Sequence, residues 1–305
     1  MTIDASLPRR AAAELIGTAG LLVVVIGSGI QATALSRDTG VALIANSLAS
    51  AIGLGLIITL FGPLSGAHLN PVVTLTSWWA WRSGGEGVGG RDALVYATAQ
   101  TAGAIGGAVL AEVMFGRVPG TFATQVRGGG HLLIGEIVAT AGLILVIQGL
   151  GRIGRPRLIP AAVAVYIAAA IWFTSSGSFA NPAGTVGRAF SNSFTGIAPQ
   201  SLPGFVGAQL LGGALGLALA GLLYGAERGS RRGGAEVPLR EPAVHHPEPA
   251  VHHPELAPNH PGPARNHPGT VLDPAVATSG PAGTPEPATP VADIPHPKPA
   301  DTVSL

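Results

Sequence analysis

Cysteine is absent from the 305 residues of this chain, so disulfides, thiolate metal sites and cysteine nucleophiles are excluded. Charge is scarce too, at 11% of residues against roughly 25% in ordinary soluble domains. Lysine occurs once, at Lys298, so residues 1–230 have none. The formal net charge of +1 lacks the basic excess of a nucleic-acid binder. A soluble globule of this size needs a charged surface, which the first 230 residues cannot supply. What is present instead is 47% hydrophobic residues and 45 glycines. The averages hide a split: residues 1–230 hold 9 of the 26 prolines, and residues 231–305 hold the other 17 with 7 of the 9 histidines.

A bilayer core is about 30 Å thick and needs about 20 mostly apolar residues per spanning helix. Six segments qualify, approximately Ala11–Gln31, Val41–Gly62, Ala93–Phe115, Leu132–Leu150, Leu158–Thr174 and Leu202–Tyr224. The first is too long in its apolar run, and too poor in a small-residue cleavage site, to read as a signal peptide. With both termini in the cytoplasm, the inside holds Arg9, Arg10, Arg82, Arg91, Arg152, Arg155, Arg157, Arg228, Arg231 and Arg232. The outside then holds Arg37, Arg117, Arg127 and Arg188, and this imbalance obeys the positive-inside rule. Trp78, Trp79 and Trp81 before Arg82 read equally well as an interfacial belt or as packing.

The chain repeats itself. Glu14-Leu-Ile-Gly-Thr-Ala-Gly-Leu21 matches Glu136-Ile-Val-Ala-Thr-Ala-Gly-Leu143. Ser65-Gly-Ala-His-Leu-Asn70-Pro71-Val-Val-Thr74 matches Ser176-Gly-Ser-Phe-Ala-Asn181-Pro182-Ala-Gly-Thr185. Ala99-Gln100-x-x-Gly103-x-x-x-Gly107 matches Ala208-Gln209-x-x-Gly212-x-x-x-Gly216. Each half carries three spans, an odd number, so the second half inserts upside down relative to the first. Repeats of this kind place their site near the bilayer midplane, on half-helices.

Asn-Pro is a helix start: Asn caps, and Pro suits the first turn. Asn70 and Asn181 therefore each open a helix of about ten residues, half a membrane deep. Inversion makes the two helices meet N-terminus to N-terminus, so their positive dipole ends converge and oppose cations and protons. The Asn amides donate to a passing solute, and the non-helical approaches, Ser65 to Leu69 and Ser176 to Ala180, offer carbonyl acceptors to a wet cavity. The physics is that of a pore for neutral polar molecules.

At these residues the chain resembles the major intrinsic protein family, the aquaporins and aquaglyceroporins, over about residues 10–226. The resemblance implies an all-α membrane fold of six spanning helices plus two re-entrant half-helices, one pore per subunit, and a homotetramer. It makes Asn70, Pro71, Val72, Asn181, Pro182 and Ala183 the paired pore motifs, with Val72 where the family usually has Ala. It implies a second, outer constriction at Ser50, Ala169, Ser178 and Gly184, the helix positions being open to a shift of one residue, to Ala51 or Ala168. The family's usual arginine three residues after the second Asn is absent: Gly184 stands there, and Arg188 follows four residues later, facing the outer vestibule or bracing loops. A filter of four small residues is wide and uncharged. It resembles a bacterial subgroup that lacks this arginine and is associated with metalloids, so glycerol-like polyols and arsenous acid join water as expected solutes.

An intramembrane carboxylate is by default a functional residue. For Glu14 and Glu136 a proton relay is one reading; the resemblance favours bracing of the re-entrant loops, with Gln100 and Gln209 as partners. Gly103, Gly107, Gly212 and Gly216 let helices approach closely. Glu112 reads as snorkelling near its helix end. His68 lines the inner vestibule, as a hydrogen-bonding group or a gate. No catalytic constellation, cofactor motif or metal set stands in residues 1–230. The tail repeats a heptapeptide from Glu241-Pro-Ala-Val-His-His-Pro247 onward, too rich in proline for helix and too poor in apolar residues for a core. Its His245, His246, His252 and His253 could bind Zn, Ni or Cu weakly, or be mere repeat expansion. The expectation is a channel domain over 1–230, in halves of about 10–115 and 131–226, with a disordered cytoplasmic tail at 231–305. It resides in the plasma membrane, in contact with lipid and small neutral solutes. The rivals are a strict water channel, an inverted-repeat secondary transporter and a non-conducting scaffold.

Overall fold

A computed structural model describes residues 4–225. Arg228, Arg231, Arg232 and the proline- and histidine-rich stretch from 231 onward, with its four paired histidines, lie outside the described residues. Eight α-helices occur within them: α1 (Leu7–Leu35), α2 (Thr39–Ser65), α3 (Pro71–Arg82), α4 (Gly90–Met114), α5 (Gly130–Arg152), α6 (Ile159–Phe173), α7 (Pro182–Arg188) and α8 (Leu202–Tyr224). A 3-10 turn leads into α6 (Pro156–Leu158) and another into α8 (Pro199–Ser201). Six of these are long and apolar enough to span: α1, α2, α4, α5, and α6 and α8 with their leading turns. The helices α3 and α7 are short and re-entrant. The architecture is the all-helical inverted repeat: α1 to α4 form one half and α5 to α8 the other.

The solvent preference is that of a bilayer. Leu48, Ile52, Leu56 and Leu60 of α2 are each more than half exposed, a pattern that water would penalise and lipid does not. Polar side chains go inside instead: Glu14, Gln100, Glu136 and Gln209 are fully buried. Helix ends are punctuated locally. Asp38 caps α2 by accepting from Gly40 N at 2.8 Å and Val41 N at 3.0 Å. Gly66 ends α2 at φ 89°, a left-handed turn that releases the chain into the first re-entrant segment.

The strongest packing joins α1 to α4 and, in the other half, α5 to α8. The glycine pairs explain it. A Cβ on Gly103 or Gly107 would overlap the carbonyl oxygens of Leu15 or Ala19; on Gly212 or Gly216 it would overlap those of Ile137 or Ala141. With no lipid-excluding drive between helices, such backbone approach is what holds them together.

Val72 breaks the symmetry of the halves, and a glycine compensates. Its counterpart Ala183 packs against the α4 cluster containing Ala104. In the repeat Ala104 corresponds to Gly213, and a Cβ on Gly213 would collide with Val72 Cγ1. Gly213→Ala is therefore expected to cost about 1–3 kcal/mol by overpacking, and Val72→Ala in the same chain to restore the thermal midpoint in detergent. A double variant no better than the single one would break this pairing.

The second half-helix is shorter than the ten or so residues expected: α7 has 7 residues against 12 in α3. Beyond Arg188 the backbone turns away through i to i+3 bonds, Ala189 N to Val186 O at 3.1 Å and Phe190 N to Gly187 O at 3.0 Å. Ser191 then donates to the buried carboxylate of Glu112.

Candidate functional site: a pore through the helix bundle

The two Asn-Pro motifs meet in the middle of the protein. Asn70 caps α3, its Oδ1 accepting from Val72 N at 2.9 Å. Asn181 caps α7, its Oδ1 accepting from Gly184 N at 3.0 Å. Their amides are crossed: Asn70 Nδ2 donates to Ala180 O at 2.7 Å, and Asn181 Nδ2 donates to Leu69 O at 2.8 Å. Each amide carries two N–H groups, so one locks the opposite re-entrant segment and one remains for the cavity. Two helix N-termini thus face the same point with fixed donors and no mobile charge.

The segments leading there run in a backbone conformation that non-glycine residues avoid. Ala67 and Leu69 have φ 47° and 54°; their repeat partners Ser178 and Ala180 have φ 51° and 48°. Left-handed residues of this kind cost of order 1 kcal/mol or more each and persist only where the surroundings enforce them. The enforcing groups are carboxylates. Glu14 Oε1 accepts from Ser65 Oγ at 2.6 Å and His68 N at 3.0 Å, and its Oε2 from Leu69 N and Gln100 Nε2, both at 2.7 Å. Glu136 Oε1 accepts from Phe179 N at 2.9 Å, and its Oε2 from Ala180 N at 2.8 Å and Gln209 Nε2 at 2.6 Å. Gln100 and Gln209 each donate onward, to Thr74 Oγ1 at 2.9 Å and Thr185 Oγ1 at 2.8 Å, which ties segment to half-helix. His68 lies on the wall with its Nδ1 3.1 Å from Thr74 Oγ1 and its ring edge-on to Tyr96 at 5.4 Å.

A cavity of about 270 Å³ runs past both motifs. Its apolar side comes from rows spaced by four on two helices: Leu54 and Ile58 continue Ser50 on α2, and Val163, Ile167 and Ile171 continue Ile159 on α6. Of the four filter positions, Ser50, Ser178 and Gly184 line it, while Ala169 does not. Ala169 is exposed on the outside of α6. It lies two residues from Ile167 and from Ile171, which turns it about 200° away from that row. The α6 contribution to the wall is therefore the row Ile159, Val163, Ile167 and Ile171, which motif counting missed; its spacing of four was the available signal. The hydroxyls of Ser50 and Ser178 are buried and have no partner among the described residues.

Arg188 lines the same cavity. Its guanidinium carbon sits 3.9 Å from the Phe179 ring centroid, and that of Arg127 5.2 Å from the same ring. Such stacking is a recognised cation site. Arg127, in the α4–α5 connection, is held by Gly196 O at 2.9 Å and Gln125 Oε1 at 3.1 Å. Burial pulls its pKa below the ordinary arginine value, with the charge of Glu136 opposing. Sequence reasoning missed Phe179 and Arg127. Nor does Glu112 snorkel: it is 1% exposed and pairs with Arg117 at 2.7 Å, because the loop after α7 folds over it.

Six spanning helices around a lined cavity, with two capped half-helices meeting inside it, define a multi-pass membrane channel. A family model described as major intrinsic protein matches residues 2–157. The chain is 46% identical over 213 residues to aquaglyceroporin AqpS of Rhizobium meliloti (strain 1021), covering 70% of this chain and 89% of that protein. It is 28% identical over 247 residues to the probable aquaporin AqpM of Archaeoglobus fulgidus, covering 72% and 96% respectively. The crystal structure of the aquaglyceroporin from Plasmodium falciparum superposes with a TM-score of 0.54 at 20% identity, over 72% of this chain and 96% of that one, a likeness of fold. This chain belongs to the major intrinsic protein family. The family is one of membrane channels, so the chain is not an enzyme.

Proposed function

We propose that the protein conducts small uncharged polyhydroxyl solutes, glycerol-like polyols and metalloid acids such as arsenous acid, together with water. The observation that carries this reading is that two serine hydroxyls without a partner among the described residues, Ser50 and Ser178, and a glycine at 184 line the same cavity. Hydroxyl-rich neutral solutes exchange water for those groups, and the missing side chain at Gly184 leaves them room. Asn70 and Asn181 supply the next donors along the path. The name aquaglyceroporin borne by the relative from Rhizobium meliloti supports the same class of solute.

In this reading Glu14, Glu136, Gln100 and Gln209 hold the re-entrant segments, His68 lines the inner vestibule, and Arg188 supplies the cation at the outer one. The arginine distribution supports an orientation with cytoplasmic termini; with it go a plasma-membrane location, a channel domain over 1–230 and, by family likeness, a homotetramer. The rival, a strict water channel, draws on Ile171 and Arg188, large side chains on the cavity wall.

Stopped-flow light scattering on proteoliposomes separates the two. Under sucrose, glycerol and arsenous acid gradients, wild type is expected to pass all solutes except sucrose, and Gly184→Arg chiefly water. Wild type that passes only water would establish the strict water channel. Flux that saturates and follows an ion gradient would establish a transporter, and no flux at all a scaffold.

A further inference from the structure

A second cavity, of about 680 Å³, lies between the half-helix α3 and α8, on the outside of the bundle. Its lining includes the small residues Val72, Gly213, Ala218 and Gly221 alongside the larger Leu75 and Trp79. Trp79 is 53% exposed. The equivalent cleft in the other half is closed, because Gly187 of α7 lies against Ala104 of α4. Most of the lining is apolar, and at one end stands Arg152.

Arg152 comes from the last turn of α5 and reaches across to the end of α8, where its Nη1 donates to Gly225 O at 2.8 Å. An arginine has five N–H donors, and the other four find no partner among the described residues; Nε is buried. Arg82, in the last turn of α3, stacks 5.9 Å above the ring of Trp78. Two guanidiniums and two tryptophans thus gather where α3, α5 and α8 all end. Tryptophan and arginine mark the membrane–water interface, and basic pockets between spanning helices recognise anionic headgroups.

We propose that this cleft binds an anionic phospholipid, with one acyl chain along α8 and the phosphate on Arg152. Thr76 and Ala80 belong to the walls of both the cleft and the pore. A chain seated there lies one residue layer from the conducting path and braces the half-helix that carries Asn70.

The test is native mass spectrometry on the delipidated full-length protein, with palmitoyl-oleoyl phosphatidylglycerol and the matching phosphatidylcholine as probes. One phosphatidylglycerol per protomer is expected to be retained in preference to phosphatidylcholine. Arg152→Gln should weaken that retention about five-fold, the share of one interfacial cation, without changing phosphatidylcholine. Ala218→Phe fills the cleft while leaving Arg152 in place and should abolish retention; if it fails to fold, Ala214→Leu serves the same purpose. Equal retention of both lipids, or phosphatidylglycerol persisting on a folded cleft-filled variant, would overturn the site. So would a cleft-filled variant that changes only the oligomeric state, since that would mark a face between copies.

Discussion

Replacing Glu136 by alanine is expected to unfold the second half of the pore. The variant should leave detergent as aggregate at a much lower temperature than wild type, and proteoliposomes made from it should show no solute flux. Three donors converge on this carboxylate: Phe179 N, Ala180 N and Gln209 Nε2. Each buried donor left without an acceptor costs about 1–3 kcal/mol, so the loss for three donors is roughly 3–9 kcal/mol before the released backbone is counted. That backbone includes Ala180 at positive φ, whose N–H only Glu136 accepts, and Ser178 at positive φ one residue before Phe179. Glu136→Gln discriminates between bracing and proton relay. An amide offers one acceptor fewer and turns a donor toward donors, so bracing predicts a lowered thermal midpoint. An unchanged midpoint with altered proton movement would make the carboxylate a relay.

Removing Arg188 is the second large effect. Arg188→Leu is expected to leave the fold intact and to let monovalent cations and protons through a pore that otherwise passes neutral solutes. Arg188 is the one arginine or lysine on the cavity wall among the described residues; Glu86 is also on that wall. Two like unit charges at a separation of about 4 Å oppose each other by about 4 kcal/mol at an effective dielectric of 20. Water and salt in the pore screen this, so roughly a ten- to hundred-fold rise in cation leak is expected. Proton-sensitive dye trapped in proteoliposomes, with a clamped potential, reads it directly. Arg188→Lys should retain most of the block, because charge matters more here than the guanidinium fork. If Arg188→Leu stays as tight to protons as wild type, the opposing half-helices alone exclude cations.

Gly184 and Arg188 show how the cavity wall differs from its motif reading. Gly184 leaves the position beside Asn181 empty, and Arg188 supplies a cation from one turn further along α7, held against Phe179. A cation on the wall therefore coexists with a site of small residues. The bore is also less uniformly small than Ala169 would have made it, since Ile171 stands on the wall.

Much of this molecule was written locally in the chain. The six spans follow from apolar runs of bilayer length, and the inversion follows from an odd number of spans in each repeat. The half-helix starts follow from Asn-Pro, whose capping chemistry needs only the next few residues. The lattice of Glu14, Gln100, Glu136 and Gln209 could be anticipated because a buried carboxylate must find donors, and the re-entrant segments are where unpaired backbone N–H groups exist. Tertiary structure decided the rest, where distance along the chain carries no information. Helix rotation chose Ile171 over Ala169, since a one- or two-residue error in counting through a loop turns a helix face by 100° or more. Packing across the pseudo-symmetry axis matched Val72 with Gly213. Folding of the loop after α7 buried Glu112 and ended that helix early. The stacking of Arg127 and Arg188 on one phenyl ring joins residues 61 positions apart in the chain, a juxtaposition that only the folded bundle creates.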